Sequence, residues 1–109
     1  MLELWQTEWC PASHRVREHL TELGVDYLTR QVPVERDARA ALRHATGADV
    51  IPALVLDDGS ALVGEDAIDA YLDEQVAEPP GAAEHRLKAI KARRRYLEKE
   101  CKCLQPVTR

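Results

Sequence analysis

The chain has 109 residues, 45% of them apolar and 31% charged, with a formal net charge of −4. That length supports one small domain, and with no Phe present its core must be built from Leu, Val, Ile and Ala. No apolar run approaches the about 18 to 20 residues of a bilayer span, the start of the chain lacks the basic and apolar stretches of a secretion signal, and three cysteines do not make a secreted disulfide framework. These readings argue against a membrane or disulfide-stapled protein. They predict a cytoplasmic one, with cysteines that are free thiols, metal ligands or redox groups.

Leu2 to Gln6 is a short apolar run before a polar break and reads as a strand. Pro11 suits the first turn of a helix, where its missing N–H costs nothing. Val16, Leu20 and Leu23 then lie on one face of that helix, and Gly24 stands where a C-cap belongs. Val25 to Val32 predicts a second strand, ended by Pro33. Glu35 to Thr46 predicts a second helix with Ala38, Ala41, Leu42 and Ala45 on its inner face and Gly47 as its stop. Ala53 to Leu56 and Ala61 to Val63 are strands joined through Asp57-Asp58-Gly59, a hairpin signal. Glu65 to Gln75 is helical, with Ile68, Tyr71 and Leu72 inward. The order β-α-β-α-β-β-α defines an α/β domain over residues 1–78. Residues 79–81 are a Pro-Pro-Gly linker, 82–103 form an additional C-terminal helix, and 104–109 are a tail.

Charge is unevenly divided. Residues 1–82 hold six Arg, no Lys and sixteen acids, whereas residues 83–109 hold nine basic residues and three acids. The stripe of Ala83, Leu87, Ile90, Leu97, Cys101 and Leu104 on the basic helix needs a partner surface, and the acidic domain is the expected one. A symmetric dimer through the same stripe is the alternative to this monomer. The basic residues lack interleaved aromatics apart from Tyr96, which argues against nucleic acid.

Chemistry concentrates in Trp9-Cys10-Pro11-Ala12-Ser13, at a strand-to-helix junction. A thiol there faces unpaired backbone N–H groups and the positive end of the helix dipole, both of which favour thiolate. The Ser13 N–H and hydroxyl are placed to donate to the sulfur, and His14 and Arg15 to add positive charge. In Val50-Ile51-Pro52-Ala53, local sequence alone favours an ordinary trans proline opening a strand. In Gly64-Glu65-Asp66 the acids cap a helix. They could equally receive an ammonium group while the helix N-terminus takes a carboxylate. Cys101 and Cys103 form a pair with three readings: one core and one exposed residue, a resolving thiol pair, or part of a metal site.

Over residues 1–76, these motifs in this order resemble the glutaredoxin family and, equally, the thioredoxin-fold N-terminal domain of glutathione transferases. The resemblance implies a thioredoxin fold and a site for glutathione or another low-molecular-weight thiol, with protein mixed disulfides as partners. Cys10 would match the nucleophile that forms a mixed disulfide with glutathione. Ile51 would match the residue whose backbone pairs with the tripeptide's cysteinyl part, and Pro52 the family's cis-proline. Glu65 and Asp66 would match the γ-glutamyl contacts. Ser13 replaces the second Cys of dithiol members, so with Pro11 the motif resembles a monothiol one. Gln6-Thr7-Glu8 stand where many glutaredoxins have a Lys, and the Cys-Gly-Phe-Ser motif of iron–sulfur-carrying members is absent. The expected activity is thiol–disulfide exchange through Cys10, without metal. A non-catalytic small-thiol-binding or protein-interaction module, and an iron–sulfur cluster carrier, are the alternatives.

Overall fold

Four strands and four helices are described over residues 1–95 of a computed structural model. Tyr96, Leu97, Cys101, Cys103 and Leu104, and the readings attached to them, lie outside the described residues. The chain divides into two units, Met1–Ala77 and Glu78–Arg109.

In the first unit, β1 (Leu2–Gln6) is followed by α1 (Pro11–Glu22), β2 (Tyr27–Gln31), a 3-10 turn (Arg36–Ala38), α2 (Ala40–Thr46), β3 (Ala53–Val55), β4 (Ala61–Val63) and α3 (Glu65–Gln75). The strands form one sheet in the order β2-β1-β3-β4. β1 and β2 run parallel, as the α1 crossover requires, while β3 is antiparallel to β1 and forms a hairpin with β4.

Strand periodicity assigns the two faces of the sheet. Leu4 pairs with Leu54, and both point into a cluster with Val16, Leu20 and Leu23 of the α1 segment and Ile68 and Leu72 of α3. Their neighbours in the register, Trp5 and Ala53, face the opposite side, where Val32 and Leu42 complete a smaller cluster. Tertiary packing of these faces, rather than the propensity of such short elements, holds the helices in place.

Three expectations needed correction. The second strand spans Tyr27–Gln31 rather than 25–32, and four of its five residues are exposed, as befits a sheet edge. The second helix is broken at Arg39, whose φ of −93° and ψ of 42° leave the helical region. The Arg39 side chain is buried and donates to the carbonyls of Pro33, Val34 and Asp49 at 2.8–3.1 Å. These loop carbonyls have no ladder partner, and satisfying them outweighs continuing the helix. Ala38 and Ala41 are consequently exposed, leaving Leu42 as the buried residue of α2.

In the second unit α4 (Ala82–Ala92) follows Gly81, and Arg86 pairs with Glu78 at 2.6 Å. Among the described residues no helix is long and apolar enough to cross a membrane.

Candidate active site

Strand register brings three distant segments to one end of the sheet. Trp5, near the end of β1, pairs with Ala53, so Pro52 lies beside the strand end that leads to Cys10. Ala53 also pairs with Val63, the last residue of β4, which sets Gly64 and Glu65 beside Pro52. The Gly64 N–H donates to the Pro52 carbonyl at 2.8 Å. At φ 91° and ψ 156°, Gly64 occupies backbone space that a side chain disfavours, and this lets the chain turn from β4 directly into α3.

Cys10 is the N-cap of α1, and its Sγ accepts from the Ser13 N–H at 3.4 Å. Pro11 opens the helix. Ser13 is fully buried, and its hydroxyl accepts from the Thr7 N–H at 3.4 Å. Burial pushes the Cys10 thiol up. The Ser13 hydroxyl, the N–H groups of Ser13 and Ala12, and the Arg15 charge more than offset that push, so the thiol lies below its ordinary value.

The Ile51–Pro52 peptide is cis. Here the family resemblance was the better guide, and the trans proline favoured by local sequence is corrected. Ile51 is half-buried, and among the described residues nothing pairs with its backbone N–H or carbonyl. The neighbouring Pro52 is buried, with its carbonyl engaged by Gly64.

Glu65 and Asp66 open α3 as expected but are not equivalent. Arg15 of α1 donates side-on to Glu65, from Nε at 2.6 Å and from Nη2 at 2.9 Å. Hydrogen bonding to Arg15 holds the Glu65 carboxyl below the usual carboxylate range against a smaller desolvation effect. Asp66 is exposed and, among the described residues, has no side-chain partner. A second tie joins the same helices four residues on, where His19 meets Asp69 at 2.8 Å through Nδ1 and Asp73 at 3.2 Å through Nε2.

Sequence reasoning missed the network that holds the loop before Cys10. Gln6 is fully buried, donates to Glu8 at 2.9 Å and to Gln31 at 3.3 Å, and accepts from Arg17. Arg17 also donates to the Thr7 carbonyl at 3.4 Å and pairs with Glu8 at 3.7 Å. Glu8 therefore acts as an anchor of this loop. Gln6 at an inward strand position was the available signal, because a buried amide needs partners. Among the described residues no cluster of three or more His, Cys, Asp or Glu is arranged for a metal ion.

A four-stranded mixed sheet in this order, with a cysteine capping the first helix and a cis-proline before the third strand, defines a thioredoxin-fold domain of the glutathione S-transferase and glutaredoxin kind. Residues 4–80 match the glutathione S-transferase N-terminal domain, and the chain belongs to that family. It is similar to a glutathione S-transferase structure from Rhodospirillum rubrum F11 (27% identity, TM-score 0.63, 85% of this chain and 44% of that one). A glutathione S-transferase from Sinorhizobium meliloti 1021 matches with 27% identity and TM-score 0.64, over 91% of this chain and 46% of that one. A buckwheat glutaredoxin, solved as its glutathione complex, shares the fold with 23% identity and TM-score 0.55, over 84% of this chain and 79% of that one. No curated protein matches the sequence. The chain thus spans a little under half the length of the two transferase structures.

Proposed function

We propose that this protein catalyses thiol–disulfide exchange between proteins and glutathione, or another small thiol, by a monothiol mechanism centred on Cys10. The observation that carries the reading is the Cys10 thiol itself. It is half-exposed at a helix N-terminus, with Ser13 and Ala12 donors lowering it, at the end of the sheet where the Ile51 backbone has no partner among the described residues. The reading is supported by the buckwheat glutaredoxin of like fold that was crystallised with glutathione.

In the first step the Cys10 thiolate attacks the small-thiol sulfur of a protein mixed disulfide. A bond forms between Cys10 Sγ and that sulfur, the old disulfide breaks, and the target leaves as a thiolate that takes a proton from solvent. A second small thiol, as thiolate, attacks the sulfur attached to Cys10. The small-thiol disulfide departs and Cys10 is released as a thiolate. One free small thiol is consumed per turnover: the disulfide between target and small thiol is exchanged for one between two small thiols, so no other oxidant or reductant and no metal or prosthetic group is required.

Ser13 stabilises the thiolate in both steps, as nucleophile and then as leaving group, and Pro11 sets the start of the helix that presents it. The N–H and carbonyl of Ile51 pair with the extended backbone of the small thiol beside Pro52. Asp66, beside the Arg15-paired Glu65 at the start of α3, receives its ammonium group, and the α3 N-terminus its carboxylate.

The test is a coupled turnover assay on a glutathione mixed disulfide. Activity that survives Cys101→Ser/Cys103→Ser and is lost in Cys10→Ser is the expected result. A dead Cys101→Ser/Cys103→Ser protein would move the resolving step to the tail. An inactive wild type that still binds glutathione would favour the binding-module reading.

A further inference from the structure

Arg17 stands four residues after Ser13, one turn further along the same face of α1. Its guanidinium takes hold of Gln6, Thr7 and Glu8 in turn. Nη1 donates to the Gln6 side chain and to the Thr7 carbonyl, and Nη2 lies 3.7 Å from Glu8 and 3.5 Å from His14 Nδ1. The neutral partners are the buried ones: Gln6 and Thr7 are buried, whereas Glu8 is 68% exposed. The guanidinium is thus aimed at the body of the loop more than at its acid. From the other side, the Val32 N–H donates to the Gln6 carbonyl at 3.1 Å. A trans peptide points its C=O and N–H in opposite directions. The Thr7 N–H is therefore turned from β2 toward α1, where the Ser13 hydroxyl accepts it. A hydroxyl has one proton and two lone pairs. With Thr7 donating to one lone pair, Ser13 keeps its proton for the Cys10 sulfur.

We propose that Arg17 is a positioning residue of the thiol site: by holding the segment from Gln6 to Glu8 against α1, it keeps the Thr7 N–H on Ser13 and so directs the Ser13 proton at Cys10. Arg17 acts through Thr7 and Ser13, without touching Cys10 or the small thiol. The inference rests on the exchange reading above and adds to it a residue that prepares the nucleophile from behind. The side-chain hydrogen bond of Ser13, which lowers the Cys10 thiol against the push of burial, is the link that Arg17 maintains.

The test is a double-mutant cycle read on Cys10. The pH dependence of iodoacetamide labelling is measured on the full chain for wild type, Arg17→Met, Ser13→Ala and the double variant. Sites are mapped by mass spectrometry to separate Cys10 from Cys101 and Cys103. Met keeps an apolar stem and removes the donors. Arg17→Met is expected to raise the Cys10 midpoint and to slow labelling at neutral pH about two- to threefold, the lower end of couplings within one hydrogen-bond network. In the Ser13→Ala background the same substitution is expected to change nothing.

An unmoved midpoint in folded Arg17→Met overturns the proposal. An equal shift with and without the Ser13 hydroxyl also overturns it, because Arg17 would then act on Cys10 by its charge or by general loosening of the loop. Should Arg17→Met fail to fold, Arg17→Lys takes its place in the cycle with the same refuting results, since one ammonium cannot hold Gln6, Thr7 and Glu8 together. Amide exchange in the wild type adds a check that needs no variant: a Thr7 N–H that exchanges as fast as an open loop amide overturns the proposal. A wild type that shows the coupling but no turnover on a glutathione mixed disulfide would remove the exchange reading and still support this one.

Discussion

Ser13→Ala separates the chemistry of the site from its architecture. Ser13 is fully buried and serves two neighbours: its hydroxyl stabilises the Cys10 thiolate and accepts from the Thr7 N–H at 3.4 Å. A hydrogen bond to a charged group is worth about 1.5–3 kcal/mol. Sulfur contacts are long and Cys10 is half-exposed, so the lower end applies, or about tenfold in thiolate population below the midpoint. The Ser13 N–H bond at 3.4 Å survives the substitution, so some depression remains. Removing a thiolate stabiliser raises the thiol's midpoint, and Cys10 alkylation at neutral pH should therefore slow by up to about tenfold. Orphaning the Thr7 N–H should cost a further roughly 1 kcal/mol of stability. The assay is the rate of iodoacetamide labelling of Cys10 against pH, with a denaturant titration on the same protein. A midpoint that stays put or falls, in a protein that still folds, would refute the thiolate role of Ser13 and leave it a packing residue.

Leu54 lies in the middle of the sheet with no exposure, so Leu54→Ala should destabilise by about 2–5 kcal/mol in denaturant titrations. Leu28→Ala, at a position 51% exposed on the edge strand, should stay within about 0.5 kcal/mol of wild type. Arg39→Lys should fail to rescue Arg39→Ala in the same titrations, since one ammonium cannot reproduce the planar set of bonds to Pro33, Val34 and Asp49. Glu65 is held below its ordinary value in the folded state by Arg15. Its contribution to stability is therefore present above the unfolded value of about 4.3 and is lost as pH falls through the folded one. Glu65→Gln should flatten that part of a pH–stability profile, and an unchanged slope would show that the pair contributes nothing there.

The elements most legible in the sequence are those whose signals are local. Pro11 and Gly24 bracket α1, Gly47 caps α2 at φ 82°, and Asp57-Asp58-Gly59 joins β3 to β4. What escaped depends on contacts between distant segments. Arg39 reads as one more polar residue of an amphipathic helix until the carbonyls it satisfies are in place around it. The isomer of Ile51–Pro52 is not written in its neighbours, and only the order of motifs along the chain suggested it. The Cys10 environment was readable because a helix start creates it from consecutive residues. The partner of Glu65 was not, because two helices must first be packed side by side. Glu8, which stands in the segment where many glutaredoxins have a Lys, is tied to Gln6 and Arg17 by contacts that need β1 and α1 in place.

The central claim is that Cys10 is the thiol that exchanges with small disulfides, and direct adduct mapping tests it most closely. The full chain, reduced and freed of reductant, is incubated with glutathione disulfide, quenched in acid and analysed by intact mass and peptide mapping. The account predicts rapid appearance of one glutathionyl group on Cys10, abolished in Cys10→Ser. Labelling confined to Cys101 or Cys103, or none on Cys10 under conditions that modify free cysteine, would contradict it.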